Sequence, residues 1–316
     1  MDQQSPLQIL QYALTEKLGE RSVGEVYQAW DTALERVVAL RLIPAELNRD
    51  RLFRAQCLST LRGLANISHP NLCGMYGATE AGGKLVVVLD YVPGRNLKSL
   101  IASGPLDNAA FLKIAVAMIR GLVYAHEHGI VHGNIRPSNV VATKDGIIKL
   151  MDFGLSLHAV SSDEISASAD LDAIRYRSPE HIVDQDLTPM SDLFSIGAIF
   201  WELLTGQMLF SGNSARAIED AILRTQPDFN QLRSEFNLPG DTVLLLEKLL
   251  AKIPEDRFLS TRQLLVTLEE MQSFDEGYAT REFFQVRPST PRQYLVLSVL
   301  AALMIVLWLV VTTGHK

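Results

Sequence analysis

Two glycines near the N-terminus enclose the first motif whose residues could bind a ligand. Gly19 and Gly24 enclose a short polar turn, and Val26 opens a β-rich stretch directly after it. A dinucleotide fingerprint needs a helix after its glycines, and a Walker loop needs Gly-Lys-Ser/Thr, which the sequence lacks. The spacing therefore favours a β-hairpin that covers phosphates. A simple hairpin turn without a ligand is the alternative.

Composition excludes several other chemistries. The 316 residues include 29 Lys plus Arg and 36 Asp plus Glu, which gives a net charge of −7. We expect no nucleic-acid partner, because neutralising phosphates requires a basic face. The only cysteines, Cys57 and Cys73, exclude a disulfide framework and a cysteine-rich zinc site. We expect both thiols to be reduced and to pack as small hydrophobes.

An apolar run near the C-terminus predicts a transmembrane helix. Residues 294–313 are twenty consecutive residues without a charge, and at about 1.5 Å per residue they match the roughly 30 Å hydrocarbon core of a bilayer. Arg281, Arg287 and Arg292 precede the run, and this basic excess places the preceding domain in the cytoplasm. The N-terminus lacks the features of a signal peptide. We expect a tail-anchored, single-pass protein that contacts the lipid bilayer through residues 294–313.

The elements that position the chemistry fall into two lobes. Short β-rich runs predict a small strand-rich lobe over residues 12–89, and apolar residues at helical spacing predict a larger helical lobe over 95–271. Residues 90–94 separate the lobes, and a cleft at such a boundary is a common ligand site. The full division is an N-terminal extension (1–11), a two-lobed domain (12–271), a juxtamembrane linker (272–293), the span (294–313) and a short tail (314–316).

Short motifs in the two-lobed region follow a specific order. They are Val38-Ala39-Leu40-Arg41, His69-Pro70-Asn71, Asp90-Tyr91-Val92, His132-Gly133-Asn134, Asp152-Phe153-Gly154, Ser178-Pro179-Glu180 and Pro254-Glu255-Asp256-Arg257. In this order they resemble the eukaryotic-type protein kinase family, most closely the bacterial membrane-anchored serine/threonine kinases. The resemblance implies an α+β bilobal fold. A small antiparallel β lobe with one helix would pack on a large, mainly helical lobe, followed here by one C-terminal transmembrane helix.

The resemblance also reveals departures at the positions that anchor the phosphates. The family's lysine that holds the α and β phosphates falls at Arg41, and arginine is not a conservative exchange at a tight phosphate site. The family's partner glutamate falls at Thr60, and no Asp or Glu occurs between residues 51 and 79. The ion pair that positions phosphates in active kinases therefore cannot form from these elements.

The catalytic loop departs further from the family pattern. The aspartate that accepts the proton of the substrate hydroxyl is Asn134, which cannot act as that base. The loop lysine two residues on is Arg136, and the threonine that braces the base is Ala173. Gly133 replaces the arginine that reads an activation-loop phosphate. Four serines of that loop are therefore poor candidates for activation: Ser161, Ser162, Ser166 and Ser168.

Other family positions are retained. The resemblance assigns Asn139 and Asp152 as ligands of Mg, if a nucleotide binds. It implies contacts to ATP from the phosphate loop (Gly19, Gly24), the walls around the adenine ring (Val26, Ala39, Val141), the gate residue Leu89, the hinge from Asp90 to Val92, and Arg41. It also implies a packed column of Leu64, Met75, His132 and Phe153, a buried pair of Glu180 with Arg257, and a capping role for Asp192.

These substitutions favour a pseudokinase, a kinase fold without useful phosphoryl transfer that acts as a scaffold or regulator. Its expected partners are other proteins, among them membrane-associated signalling proteins, with ATP and Mg as weak or absent cofactors. The alternative is an active, atypical serine/threonine kinase, because positioning and electrostatics dominate phosphoryl transfer. A third hypothesis is a nucleotide sensor in which ATP closes the lobes and changes the affinity for a partner.

Overall fold

The computed structural model describes residues 8–21, 23–153, 171–183 and 186–284. The chain divides into two units, residues 1–272 and residues 273–316. Both lobes lie in the first unit. The part of the second unit that is described, residues 273–284, is the C-terminal part of the last helix.

The small lobe is built on a six-stranded antiparallel sheet with the order β1-β2-β3-β4-β6-β5. Its strands are β1 (Gln8–Ile9), β2 (Tyr12–Arg21), β3 (Gly24–Asp31), β4 (Arg36–Ile43), β5 (Met75–Ala81) and β6 (Lys84–Asp90). In the central strands, residues 38–43 of β4 and 85–89 of β6 are buried without interruption, and all of them except Arg41 are apolar. Consecutive buried residues are typical of strands covered on both sides.

Two helices, α1 (Ala45–Arg49) and α2 (Arg51–Leu64), connect β4 to β5. Helix α2 begins at Asp50, whose carboxylate accepts the Phe53 N–H at 2.9 Å. The buried stripe of α2, Phe53, Cys57 and Leu61, packs against residues of β4 and β6. This packing fixes α2 beside the strand that carries Arg41.

The large lobe combines a three-stranded sheet with helices. The sheet has the order β7 (Gly94–Asn96), β8 (Val140–Thr143), β9 (Ile148–Leu150). The helices are α3 (Leu97–Ile101), α4 (Asn108–Glu127), α5 (Leu171–Ile174), α6 (Pro179–Ile182), α7 (Pro189–Thr205), α8 (Ala215–Arg224), α9 (Phe229–Ser234), α10 (Gly240–Leu249) and α11 (Thr261–Phe284). This architecture confirms the predicted bilobal α+β fold.

Helices α4 and α7 form the centre of the large lobe. Asp107 caps α4 by accepting the Ala110 N–H at 2.7 Å, and the rings of Phe111 on α4 and Phe200 on α7 meet edge to face at 5.0 Å. Among the described residues, α4 is the one helix long and apolar enough to cross a membrane. Its buried residues belong to the core of the lobe, as expected for a core helix with this composition.

A buried ion pair braces the base of the large lobe, as predicted. Arg257 donates to both carboxylate oxygens of Glu180 at 2.7 and 2.9 Å, and also to the Met190 carbonyl at 2.8 Å. Burial opposes ionisation of Glu180, but the hydrogen bonds and charge of Arg257 outweigh it and lower the pKa of this carboxyl. The bidentate geometry connects α6 to the segment that follows α10.

The structure differs from the sequence-based expectations in several elements. Strand β1 lies within the predicted N-terminal extension, and β5 and α1 were not predicted. Helix α11 continues to Phe284 rather than ending at residue 271, since the first proline after Thr261 is Pro288. The first part of the predicted linker is therefore helical. The remainder of the linker, the predicted span 294–313 and the four activation-loop serines lie outside the described residues.

Candidate nucleotide-binding site

The predicted phosphate loop is the tip of the β2–β3 hairpin. Gly19 pairs with Val26, and the pairing continues to Arg21 opposite Gly24. Gly24 has φ of +95°, and a Cβ there would lie 2.0 Å from the Leu42 carbonyl oxygen. Glycine is therefore required at this position by the fold of the hairpin, independently of any ligand. Ser22, at the tip, lies outside the described residues.

The residues predicted to sandwich adenine come from both lobes. Ala39 faces Leu89 in the β4–β6 register, and both are buried in the cluster against which Val26 packs. Val141 lies on β8 in the large lobe and is also buried. Gly94 follows the hinge, and a Cβ on this residue would lie 2.7 Å from the Val141 side chain. Val141 is therefore positioned directly beside the segment that joins the lobes.

In the hinge, Asp90 is held by hydrogen bonds to neighbouring residues, whereas the main chain of Val92 is available to a ligand. The Asp90 N–H donates to the Gly74 carbonyl at 2.9 Å, and its carboxylate accepts from the Gly74 N–H at 3.2 Å and from the Tyr76 hydroxyl. Within the described part of the chain, the N–H and C=O of Val92 make no hydrogen bond. A donor and an acceptor beside apolar walls suit the edge of a purine.

Arg41 makes an ion pair that the sequence did not predict. Its guanidinium donates through Nη2 to the Asp152 carboxylate, and only 1% of the Arg41 side chain and 8% of the Asp152 side chain is exposed. The remaining nitrogens of Arg41, Nε and Nη1, are buried and have no hydrogen-bond partner among the described residues. Such unpaired buried donors are costly, and an anion would satisfy them.

The side of the site formed by α2 offers no carboxylate to Arg41. The buried stripe of the helix contains Cys57, whereas Thr60 is only half-buried. Burial raises the pKa of the Cys57 thiol to about 11 against the opposing effect of the Arg41 charge. Burial likewise raises the pKa of Cys73 to about 12. Both thiols are therefore neutral and pack with the small-lobe core, as predicted.

The catalytic loop is held by Asp192 of α7, as predicted. The two oxygens of its carboxylate accept the main-chain N–H groups of His132 and Gly133 at 2.8 Å each. The His132 ring is fully buried and packs against the Phe153 ring at a tilt of 32°, with a centroid separation of 4.2 Å. Burial lowers the pKa of His132 despite the nearby Asp192. His132 is therefore a neutral packing residue beside Phe153, and Phe153 belongs to the same hydrophobic cluster as Leu64 and Met75.

The position of the catalytic base carries a neutral amide. Asn134 lines a small cavity of about 50 Å³ together with Ala173, Tyr176, His181 and other residues, none of them Asp or Glu. The Asn134 carbonyl accepts from the Asn139 side-chain amide at 2.9 Å. Arg136, two residues further on, is buried. The described part of this loop thus brings the predicted residues together without providing a carboxylate base.

Asn139 and Asp152 differ in their availability to a metal ion. The side-chain oxygen of Asn139 is buried and accepts no hydrogen bond within the part of the chain that the structure describes, which suits a cation ligand. The Asp152 carboxylate is already paired with Arg41. A divalent ion would have to displace that guanidinium to use both oxygens. The residues therefore fit a purine and a phosphate anion, but they do not fit magnesium while the Arg41–Asp152 pair is intact.

The bilobal fold, the glycine hairpin and the hinge cleft together define a protein kinase fold. The protein kinase domain family matches residues 12–267, and this chain belongs to that family. The predicted resemblance is therefore confirmed.

Relatives with the same domain occur among bacterial kinases. The probable serine/threonine-protein kinase PknB of Lactococcus lactis is 29% identical over 84% of this chain and 42% of the relative. The probable serine/threonine-protein kinase SCO3848 of Streptomyces coelicolor is 32% identical over 82% of this chain and 39% of the relative. The match thus spans about two fifths of the length of each.

Solved structures show the same fold. The crystal structure of the Mycobacterium tuberculosis PknI kinase domain superposes with a TM-score of 0.67 at 24% identity. It covers 84% of this chain and 97% of that domain.

The Arg41–Asp152 pair generates a stability prediction. Asp152 has φ of +66°, so asparagine, which tolerates this conformation, is a better replacement than alanine. We expect Asp152→Asn to lower the free energy of unfolding by about 3 kcal/mol, because it leaves a buried guanidinium without its counter-charge. Adding Arg41→Met should recover most of that loss. Urea denaturation of both single variants and the double variant measures the coupling, and purely additive effects would contradict a buried pair.

Proposed function

We propose that this chain is a pseudokinase that acts at a membrane as a scaffold or regulator of other proteins. The observation that carries the proposal is Asn134 at the position of the catalytic base, in a cavity whose described lining residues include no Asp or Glu. A positioned general base contributes about 10²–10⁴ in rate. An amide that cannot accept a proton at neutral pH forgoes that contribution.

The phosphate-anchoring end of the site supports the same proposal. In active kinases a lysine is held by a glutamate of the small-lobe helix and thereby positions the phosphates. Here Arg41 pairs with Asp152, and the buried face of α2 presents Cys57. The guanidinium is thus drawn toward the residue that would hold the metal. Two elements of the transfer machinery, the base and the anchored lysine, are replaced together.

The folded parts of the domain that are independent of catalysis are retained, which supports a role in protein interaction. Asp192 fixes the catalytic-loop backbone, the Glu180–Arg257 pair braces the large lobe, and the His132 ring packs against Phe153. A domain that lacks a base yet keeps this framework presents a defined surface to partners. Confinement to a membrane would raise its effective concentration toward other membrane proteins.

The alternative function is an active, atypical serine/threonine kinase. It is favoured by the names of the bacterial relatives, which describe kinases, and by the presence of both Asn139 and Asp152. His181 lines the same cavity as Asn134 and is the residue there that is able to accept a proton near neutral pH. Activity by this route would depend on His181.

A phosphotransfer assay separates the two functions. The purified full chain in detergent micelles is incubated with γ-labelled ATP, magnesium and a casein-type substrate. We expect no label above that of an Asp152→Ala control, because Asn134 and Arg41 stand where active kinases have the carboxylate base and the anchored lysine. Label that disappears in the control would contradict the pseudokinase proposal, and its further loss in His181→Ala would identify an alternative base.

The membrane anchor is tested by cell fractionation. We expect the full chain to sediment with membranes and to resist extraction by alkaline carbonate, because a span of about twenty apolar residues inserts stably. Truncation after residue 293 should release the protein into the soluble fraction. A full chain that is soluble, or that carbonate extracts, would refute the anchor.

A further inference from the structure

The charges retained in the cleft suit a nucleotide that carries no metal. Of the charged positions that the kinase family uses around the phosphates, this chain keeps the two cations, as Arg41 and Arg136, and one carboxylate, Asp152. The family's base and partner glutamate are replaced by the neutral residues Asn134 and Thr60. The family pattern sums to one negative charge, whereas these positions here sum to one positive charge. A site with excess positive charge needs no additional cation to accept phosphates.

The contacts of Arg41 and Asp152 agree with this excess of positive charge. Arg41 is 99% buried, and its Nε and Nη1 have no protein partner among the described residues, so two N–H donors remain for an anion. Asp152 is engaged by the same guanidinium through Nη2. A divalent ion bound by both oxygens of Asp152 would have to displace the guanidinium from Oδ1, and an ion on either oxygen would place a double positive charge beside Arg41. Coulomb repulsion between these cations disfavours that arrangement.

We propose that the cleft binds adenine nucleotides without a divalent cation, with the Arg41 guanidinium in contact with the phosphates where a metal ion would otherwise neutralise them. The proposal deepens the proposed function and rests on it, because a site that transfers no phosphoryl group needs no metal to stabilise a leaving group. The free N–H and C=O of Val92 supply recognition of the purine. The ligand is therefore an adenosine di- or triphosphate rather than free phosphate.

Calorimetric titration of the purified full chain in detergent micelles tests this inference. ATP is titrated in excess chelator and, separately, in millimolar magnesium, with adenosine and inorganic triphosphate as partial ligands. We expect ATP to bind in chelator, magnesium to leave the affinity equal or lower, and each partial ligand to bind more weakly than ATP. Affinity that requires magnesium, or that magnesium raises tenfold or more, would overturn the inference. Triphosphate binding as tightly as ATP would overturn the purine contact.

Variants of the buried pair sharpen the test. Arg41→Met should weaken metal-free ATP binding roughly 10- to 100-fold, the loss expected when charge-assisted hydrogen bonds are removed. Arg36→Met is a matched control, because it removes a half-exposed arginine from the same strand, β4, outside the buried pair. Asp152→Asn should strengthen metal-free binding, since it frees Arg41 and removes a negative charge near the phosphates. In a metal-dependent site the same change abolishes binding. Stronger ATP binding by Asp152→Asn therefore supports metal-free binding, and weaker binding contradicts it.

Circular dichroism of each variant verifies that it is folded.

The titration and the phosphotransfer assay refute different hypotheses. If no nucleotide binds in either condition, metal-free binding is refuted while a non-catalytic scaffold stands. If label transfer requires Asp152, the pseudokinase proposal itself is refuted.

Discussion

The ion pair between Arg41 and Asp152 is the interaction on which the interpretation of the cleft depends. It joins the central sheet of the small lobe to the segment after β9 in the large lobe, and both side chains are almost fully buried. A buried pair of this kind is costly to break, since either charge left alone loses its compensation. The same contact occupies a carboxylate that a metal would use. It therefore adds a contact between the lobes and at the same time limits which ligand the cleft can accept.

Much of the fold could be predicted because the kinase motifs mark its fixed points. The β-rich runs and the helical spacing of apolar residues predicted the two lobes, and the Glu180–Arg257 pair and the capping by Asp192 followed from the resemblance. Strand β5 was missed because its sequence, Met-Tyr-Gly-Ala-Thr-Glu-Ala, contains few β-branched residues, and its pairing with β6 is a tertiary contact. Helix α11 was predicted too short because a single glycine and scattered polar residues were interpreted as a linker.

The Arg41–Asp152 pair itself could not be predicted from local sequence. The residues are 111 positions apart, and periodicity carries no information about such a contact. One indirect signal was present: an arginine at the phosphate position with no acidic residue on the neighbouring helix must find another counter-charge if it is buried. The free main chain of Val92 was likewise visible only after the hydrogen bonds of the hinge were assigned. Residue types in the sequence identified the site, whereas the ion pairs and hydrogen bonds within it depend on tertiary packing.

The structure of the full chain determined with both ATP and excess magnesium would test the central claim most directly. The account predicts phosphate oxygens within hydrogen-bond distance of the Arg41 guanidinium, and no metal ion between Asp152 and Asn139. A magnesium ion coordinated by both of those side chains and by the phosphates, with Arg41 turned away from Asp152, would contradict it.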